Sequence, residues 1–366
     1  MILDLSQFNI PQILDKSSKI MVGMSGGVDS AVAALILKSQ GHDVIAGFMK
    51  NWNEVDEHGN CNAESDYKDV MKVCESLDIP YYAFDFSKEY YESVFKNFIE
   101  DYKNGDTPNP DVFCNIEIKF NHFFKSALSL GVDYVATGHY CSRIYTDSTW
   151  HLAKGRDHKK DQSYFLSGIN GEVLDRVLFP LGLLEKTKVR EIAQHFNLVN
   201  AKKKDSTGVC FIGERNFRKF LSEYIDSTKG EFQKLDGTIV GAHDGACFFT
   251  LGQRKGLGLG GPGEPWYVIK KDHTKNIVYV EREKDHPELF RKNIKAKELN
   301  WINFKPSDNF QCKAKIRYRQ LDQDCTVKYI NGLLEIDFKQ PQRAVCKKQI
   351  VAFYNDEICL GSALIE

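Results

Sequence analysis

Up to about residue 215, short apolar runs alternate with amphipathic stretches of helical period. Residues 20–24 read as a first strand and 29–40 as a helix stopped by Gly41. Residues 44–49 and 81–84 read as further strands. Tyr91, Val94, Phe95, Phe98 and Tyr102 recur at helical spacing, and so do Ile116, Phe120, Phe123, Phe124 and Leu128 ahead of Gly131. Residues 132–137 close the series as another strand. Such β-α alternation predicts a doubly wound parallel sheet, whose ligands bind outside the carboxyl ends of the strands. Beyond about residue 228 the helical period stops, and glycine becomes dense over 241–263. Residues 267–269 and 277–280 read as a hairpin across 272–275. From about residue 293, short alternating runs predict an all-β barrel. The pattern therefore predicts an α/β domain over 1–216, a small and mostly β domain over 217–286, and a C-terminal β-barrel over 287–366.

Composition adds limits. The chain has 366 residues, 42% hydrophobic and 27% charged, which suits a soluble protein of two or three domains. No apolar run approaches the roughly 18 residues needed to cross a bilayer, and the N-terminal stretch lacks the features of a signal or transit peptide. No membrane role and a cytoplasmic location are therefore expected. The ten cysteines include no C-x-x-C pair, so no zinc or cluster site is expected, and most thiols should be reduced. Net charge is −1, but residues 286–366 hold 14 Lys and Arg against 10 Asp and Glu. A basic tail module beside an acidic body suits a phosphate-rich partner or a solvated surface.

The strongest chemical signal is Ser25-Gly26-Gly27-Val28-Asp29-Ser30, between the first strand and the first helix. A Gly-Gly turn there aims several N–H groups at one point, where the helix dipole adds positive charge. No lysine follows the glycines, so the turn is not a Walker A loop. Its plain alternative is a turn capped by Asp29 or Ser30. The pattern resembles the PP-loop of the ATP pyrophosphatases, which implies adenylation of a substrate and release of pyrophosphate.

Two loop cysteines suggest the step after adenylation. Cys114 ends a stiff loop containing Pro108 and Pro110, near a helix start that Asp111 or Asn115 could cap. The helix dipole would lower its thiol pKa. Cys210 lies downstream of Lys202, Lys203 and Lys204 and upstream of Arg215, which would favour a thiolate. Each could equally be a buried structural thiol. In a chain that makes adenylates, one thiol could carry sulfur as a persulfide and the other resolve it.

These stretches, with 107–115, 136–140, 160–166, 205–213 and 251–254, resemble the tRNA-specific 2-thiouridylase family in order and spacing over nearly the full length. The resemblance implies a PP-loop fold of the adenine nucleotide α-hydrolase type and ATP-dependent 2-thiolation of the wobble uridine, position 34, of tRNA. It implies ATP, with Mg2+ on the nucleotide, bound by Gly23, Met24, Ser25, Gly26, Gly27, Val28, Asp29 and Ser30, with Met49 and Gly138 beside it. It makes Cys210 the persulfide carrier and Cys114 the nucleophile that closes a disulfide with it. Asn109, Pro110 and Asp111 would meet the flipped base, with Asp111 as general acid or base. His139, Lys160, Asp161, Gln162, Arg317, Tyr318 and Gln349 would contact tRNA. The implied partners are tRNAs of the Lys, Glu and Gln type and a sulfur-donor protein. One departure is local: the family's Pro-Gly-Gln turn is replaced by Lys347-Lys348 before Gln349.

Lys313, Lys315, Arg317 and Arg319 alternate, so on one strand they would form a single cationic face, a phosphate rail. A small-molecule PP-loop ligase, such as an argininosuccinate synthetase, would share the ATP turn but leave the two cysteines and the basic tail unexplained. A non-catalytic ATP sensor would not need Asp111, Cys114 and Cys210.

Overall fold

The computed structural model describes residues 3–52, 62–205 and 217–366. Strands β1 (Lys19–Met24), β2 (Asp43–Lys50), β3 (Tyr81–Asp85), β4 (Tyr134–Thr137) and, later in the chain, Val177–Leu178 form one sheet. Its order is β3-β2-β1-β4 with Val177–Leu178 at the edge, and every pairing is parallel. The near-continuous apolar runs of β1 and β2 follow from burial on both faces. Ile20 and Val22 pack against α1 (Val28–Ser39) and the helix Lys186–His195, while Met21 and Ile45 pack with Phe95, Phe98 and Phe123 on the other face. Each such side chain contributes about 1.5–3 kcal/mol through burial.

The two predicted aromatic helices are observed as rods over 87–103 and 110–129. Both contain wide π-helical turns, Tyr91–Phe95 and Cys114–Phe123. Their aromatic faces continue into the following segment. Phe95 meets Tyr224 at 4.9 Å between ring centres, and Phe220, Phe232 and Phe248 share one core with Phe95 and Phe98. The segment beyond residue 217 therefore shares a core with the α/β layer.

Strands β5 (Cys141–Thr146) and β6 (Thr149–Lys154) form a hairpin. A four-stranded sheet follows from Gly230–Gln233, Ile239–His243, Tyr267–Asp272 and Ile277–Glu281, the last two pairing as the expected hairpin. The last six strands, Phe290–Trp301, Asn309–Lys315, Gln323–Ile330, Leu333–Arg343, Ile350–Asn355 and Ile358–Ile365, form the barrel, closed by pairing of the first with the last. The β5–β6 hairpin leaves the α/β layer to join this sheet through Ala153 opposite Ile358. Periodicity marked neither this hairpin nor its crossing, because the burial of its strands does not alternate.

Candidate active site

The turn after β1 is built as its sequence requires. Gly26 has φ of 74°, and a Cβ there would lie 2.7 Å from the Asp66 carbonyl. The Ser30 hydroxyl donates to the Gly27 carbonyl at 3.2 Å and accepts from the Ser25 N–H at 3.2 Å. The N-cap position is Gly27, with no side-chain cap, so neither Asp29 nor Ser30 caps the helix. Gly138, just past β4, packs its backbone on the same turn; a Cβ on it would stand 2.7 Å from Ser30 N. Met49 reaches over Gly23, its Cε 3.3 Å from where a Cβ would sit.

Asp29 does not point idly into solvent. It accepts from the Tyr140 hydroxyl at 2.7 Å and from Lys186 Nζ at 2.7 and 2.8 Å. Lys186 also pairs with Asp205 at 2.8 Å, and Asp205 takes Lys160 at 2.6 Å and Arg190 at 2.5 Å. Burial would raise the Asp205 carboxyl, but the bonds and charges of Lys160 and Lys186 outweigh it and hold it well below the usual carboxylate range. The Asn200 side chain donates to the carbonyls of Gly26 and Gly27 at 3.1 and 3.0 Å. Lys186, Arg190 and Asn200 were not legible as site residues. They sit over 150 positions from the glycine turn in sequence, and their own neighbourhoods read as an ordinary amphipathic helix and its exit.

The second half of the site is the 107–115 segment. Pro110 occupies the first turn of the helix that begins there, and Asn109 is its N-cap residue, without a side-chain cap bond. This corrects the expectation that Asp111 or Asn115 caps it. It also places Cys114 past the first turn, buried, and at the start of the π-helical stretch. The dipole effect expected of a helix start is weaker at that depth. Asn115 is buried and donates to the carbonyls of Asp111 and Phe165 at 3.0 and 3.1 Å, tying this helix to the 163–166 turn.

Asp111 is half-buried; burial raises its carboxyl, and the charge of Lys119 opposes the rise. Lys119 also lies 3.5 Å from His139 Nε2, whose Nδ1 meets the Thr137 hydroxyl at 2.8 Å. Burial first, then Lys119, holds His139 well below its ordinary pKa, so it is neutral at pH 7. Thus Lys119, on the rod that also carries Asp111, reaches the strand end that packs on the glycine turn.

Gln349 joins the barrel to the same loop. It donates to the carbonyls of Thr107 and Pro108 at 2.8 and 3.3 Å and accepts from Asn109 at 3.4 Å. In the turn before it, Lys348 adopts φ of 65°, a left-handed conformation that favours glycine. Thr107 N–H donates to the Lys347 carbonyl at 3.1 Å, adding a backbone bond. The remaining residues predicted to face RNA gather around residue 160. Lys160 is spent on Asp205, the Tyr318 hydroxyl donates to the Lys160 carbonyl at 3.2 Å, and the Gln162 side chain accepts from Tyr140 N–H at 2.9 Å. Asp161 is buried and accepts from Gly155, Ser163 and Lys315, so its side chain faces inward. Arg317 donates to the Ala344 carbonyl at 2.5 Å.

The cationic rail does not exist. The strand ends at Lys315, which is buried and pairs with Asp161 and Asp322 at 3.4 and 3.5 Å; Lys313 pairs with Asp356 at 3.2 Å. Arg317 and Arg319 lie in the turn beyond it. The lysine run before Cys210 is also partly neutralised, since Lys203 pairs with Asp66 and Asp69 at 2.8 and 2.6 Å. Cys210 itself lies outside the described residues.

Three family models match in series: the tRNA methyl transferase HUP domain over residues 18–214, the tRNA methyl transferase PRC-barrel domain over 218–282, and the aminomethyltransferase β-barrel domain over 291–365. Among solved structures, the U34-tRNA thiolase NcsA from Methanococcus maripaludis with its 4Fe–4S cluster is similar at TM-score 0.37 and 19% identity, over 59% of this chain and 68% of that one. The tRNA-specific 2-thiouridylase MnmA of Bacillus subtilis is 49% identical over 354 residues, 96% of this chain and 95% of its own length. The tRNA-specific 2-thiouridylase MnmA of Halalkalibacterium halodurans is 53% identical over 353 residues, again 96% of this chain and 95% of its own. Identity at that level along almost the whole length settles the kinship: the chain belongs to the tRNA-specific 2-thiouridylase family.

Proposed function

We propose that this protein is a tRNA-uridine 2-sulfurtransferase that uses MgATP to replace O2 of the wobble uridine by sulfur. The observation that carries the reading is the junction at Lys119 and His139. Lys119, on the same helical rod as Asp111, reaches His139 at 3.5 Å beside the strand end that packs on the phosphate turn, and its charge acts on the Asp111 carboxyl.

In this mechanism the triphosphate lies on 23–30 beside Met49 and Gly138. The glycine turn carries no lysine of its own, and Lys186 supplies the cation from the helix Lys186–His195. Mg2+ is assigned to the nucleotide substrate. Uridine 34 flips out of its stack onto Asn109, Pro110 and Asp111, because a stacked base cannot reach the pocket. Asp111 takes the N3 proton as O2 attacks the α-phosphorus, and pyrophosphate leaves. The terminal sulfur of a Cys210 persulfide then attacks C2 and expels AMP. The Cys114 thiolate attacks the Cys210 sulfur, forming the Cys114–Cys210 disulfide and releasing 2-thiouridine. A sulfur-donor protein reloads Cys210 after a thiol reductant opens the disulfide.

We assign adenylation and sulfur transfer to residues 1–216 and RNA docking to the barrel over 287–366, with the small, mostly β domain over 217–286 between them. Lys160, Gln162, Arg317, Tyr318 and Gln349 form the RNA-facing rim, and the buried His139 and Asp161 support that rim from within. The RNA substrates are the tRNAs of the Lys, Glu and Gln type, and the setting is cytoplasmic. No helix among the described residues is long and apolar enough to cross a membrane.

The test is pyrophosphate release from ATP with and without unmodified tRNA, together with mass spectrometry of nucleosides. Release should require tRNA, and Cys114→Ser and Cys210→Ser should each abolish 2-thiouridine. Pyrophosphate without tRNA, or thiolation surviving Cys210→Ser, overturns the reading.

A further inference from the structure

Two cysteines that the mechanism does not use face each other in the barrel. Cys312 and Cys325 are direct cross-strand partners on Asn309–Lys315 and Gln323–Ile330, and their sulfurs are 3.6 Å apart. Directly opposed residues in antiparallel strands have Cα atoms about 4.5–5.5 Å apart, inside the range a disulfide tolerates. Cys325 is buried and Cys312 is partly exposed, so a reagent reaches Cys312 first.

The position of the pair gives it consequence. Only Lys313↔Asp324 and Ala314↔Gln323 separate it from the turn over 316–322. That turn carries Arg317 and Tyr318, and it is held by Arg317 on the Ala344 carbonyl, Tyr318 on the Lys160 carbonyl, and Gln320 between Ile316 N–H and Gln342. Arg317 is exposed and gives one N–H to Ala344, so the position of its remaining donors follows the turn.

We propose that Cys312 and Cys325 form a reversible disulfide site that locks the neck of this hairpin and weakens tRNA binding. The oxidant is a low-molecular-weight disulfide of the glutathione class. The Cys312 thiolate displaces one glutathione thiol to give a mixed disulfide. Cys325 then displaces the second, so two protein thiols become one S–S bond and one oxidised glutathione becomes two thiols. The bond draws the strands together below the turn and holds the turn in the arrangement where Arg317 is anchored on Ala344. The hydrogen bond between the thiols and then burial keep Cys312 protonated above its ordinary range, which makes the site a slow responder. The RNA consequence rests on the function proposed above; the disulfide does not.

The test treats the full chain with oxidised glutathione and maps peptides without reduction. A peptide joining Cys312 to Cys325, two hydrogens lighter than the free pair, is expected, and dithiothreitol should reverse it. tRNA affinity is then measured in a Cys114→Ser, Cys210→Ser background, so that those thiols do not report. Oxidation should weaken binding at least about threefold, and Cys312→Ala and Cys325→Ala should each remove the oxidant's effect. Failure of the linked peptide to form in folded protein overturns the site. A linked peptide with unchanged or tighter tRNA binding overturns the locking role. If the reduced protein binds no tRNA, the proposed function and the RNA role both fail, while the linked peptide still establishes the disulfide.

Discussion

Lys186 Nζ clasps both carboxylate oxygens of Asp29, at 2.7 and 2.8 Å, across 157 positions of sequence. Asp29 belongs to the first turn of α1, so this contact brings a cation to a phosphate turn that has none of its own. Hydrogen bonds to charged groups contribute about 1.5–3 kcal/mol, which is roughly 10–100-fold in rate or affinity. Lys186→Met should lower kcat/KM for ATP by about that factor, read as pyrophosphate release. tRNA affinity should stay within about twofold. Asp205 retains Lys160 and Arg190, so the fold should survive, and circular dichroism checks it. Unchanged ATP kinetics would separate Lys186 from the nucleotide.

Asp111 is raised by burial and lowered by Lys119. As a base it works deprotonated, so thiolation should fall as pH drops through its raised pKa. Lys119→Met removes the charge that opposes the rise, so the acid limb of the pH–rate profile should move to higher pH. Asp111→Asn should abolish the limb and nearly all turnover. A limb that stays put in Lys119→Met assigns the titration to another group.

Gly138→Ala places a methyl group 2.7 Å from Ser30 N and 2.9 Å from Asp29 C. Backbone cannot yield there as a flexible side chain would, so the turn must shift. ATP affinity by calorimetry should fall at least about tenfold, near 1.4 kcal/mol, with the melting temperature lowered as well. Gly131→Ala, where nothing lies within 4 Å but φ is 74°, serves as a backbone-strain control that should leave ATP affinity alone.

Lys348 holds φ of 65°, a conformation that costs a residue with a Cβ about 1–2 kcal/mol. Lys348→Gly should stabilise the protein by about 0.5–1 kcal/mol, after the entropy glycine adds to the unfolded chain. Lys348→Val should destabilise it by more than that. Urea midpoints at constant m-value check both. Gln349 keeps its bonds to 107–109 in the glycine variant, so tRNA binding should be preserved.

The strands and helices around the phosphate turn were legible because each signal is local. The runs at 20–24 and 44–49 appear as Lys19–Met24 and Asp43–Lys50, and the aromatic spacing at 91–102 appears within a continuous helical rod. Alternating charge at 313–319 misled for the same reason. The pattern reports a side-chain period only while the strand lasts, and the strand stops at Lys315. It also cannot tell a solvated lysine from one buried against two carboxylates, as Lys315 is. Asn200 carried no signal at all, because its role depends on two carbonyls contributed by the distant turn.

By itself the sequence determined the strands and helices around the phosphate turn, the glycine turn between β1 and α1, and the order of the cysteine-bearing segments, because periodicity and backbone freedom act over a few residues. Only the tertiary structure decided which charges are spent and which chain segments meet. It set Lys186 on Asp29, drew Gln349 onto the 107–109 loop, carried the β5–β6 hairpin to the barrel and faced Cys312 with Cys325. Those pairings depend on long-range packing, where burial selects a partner by position in space and leaves no mark on the residues between.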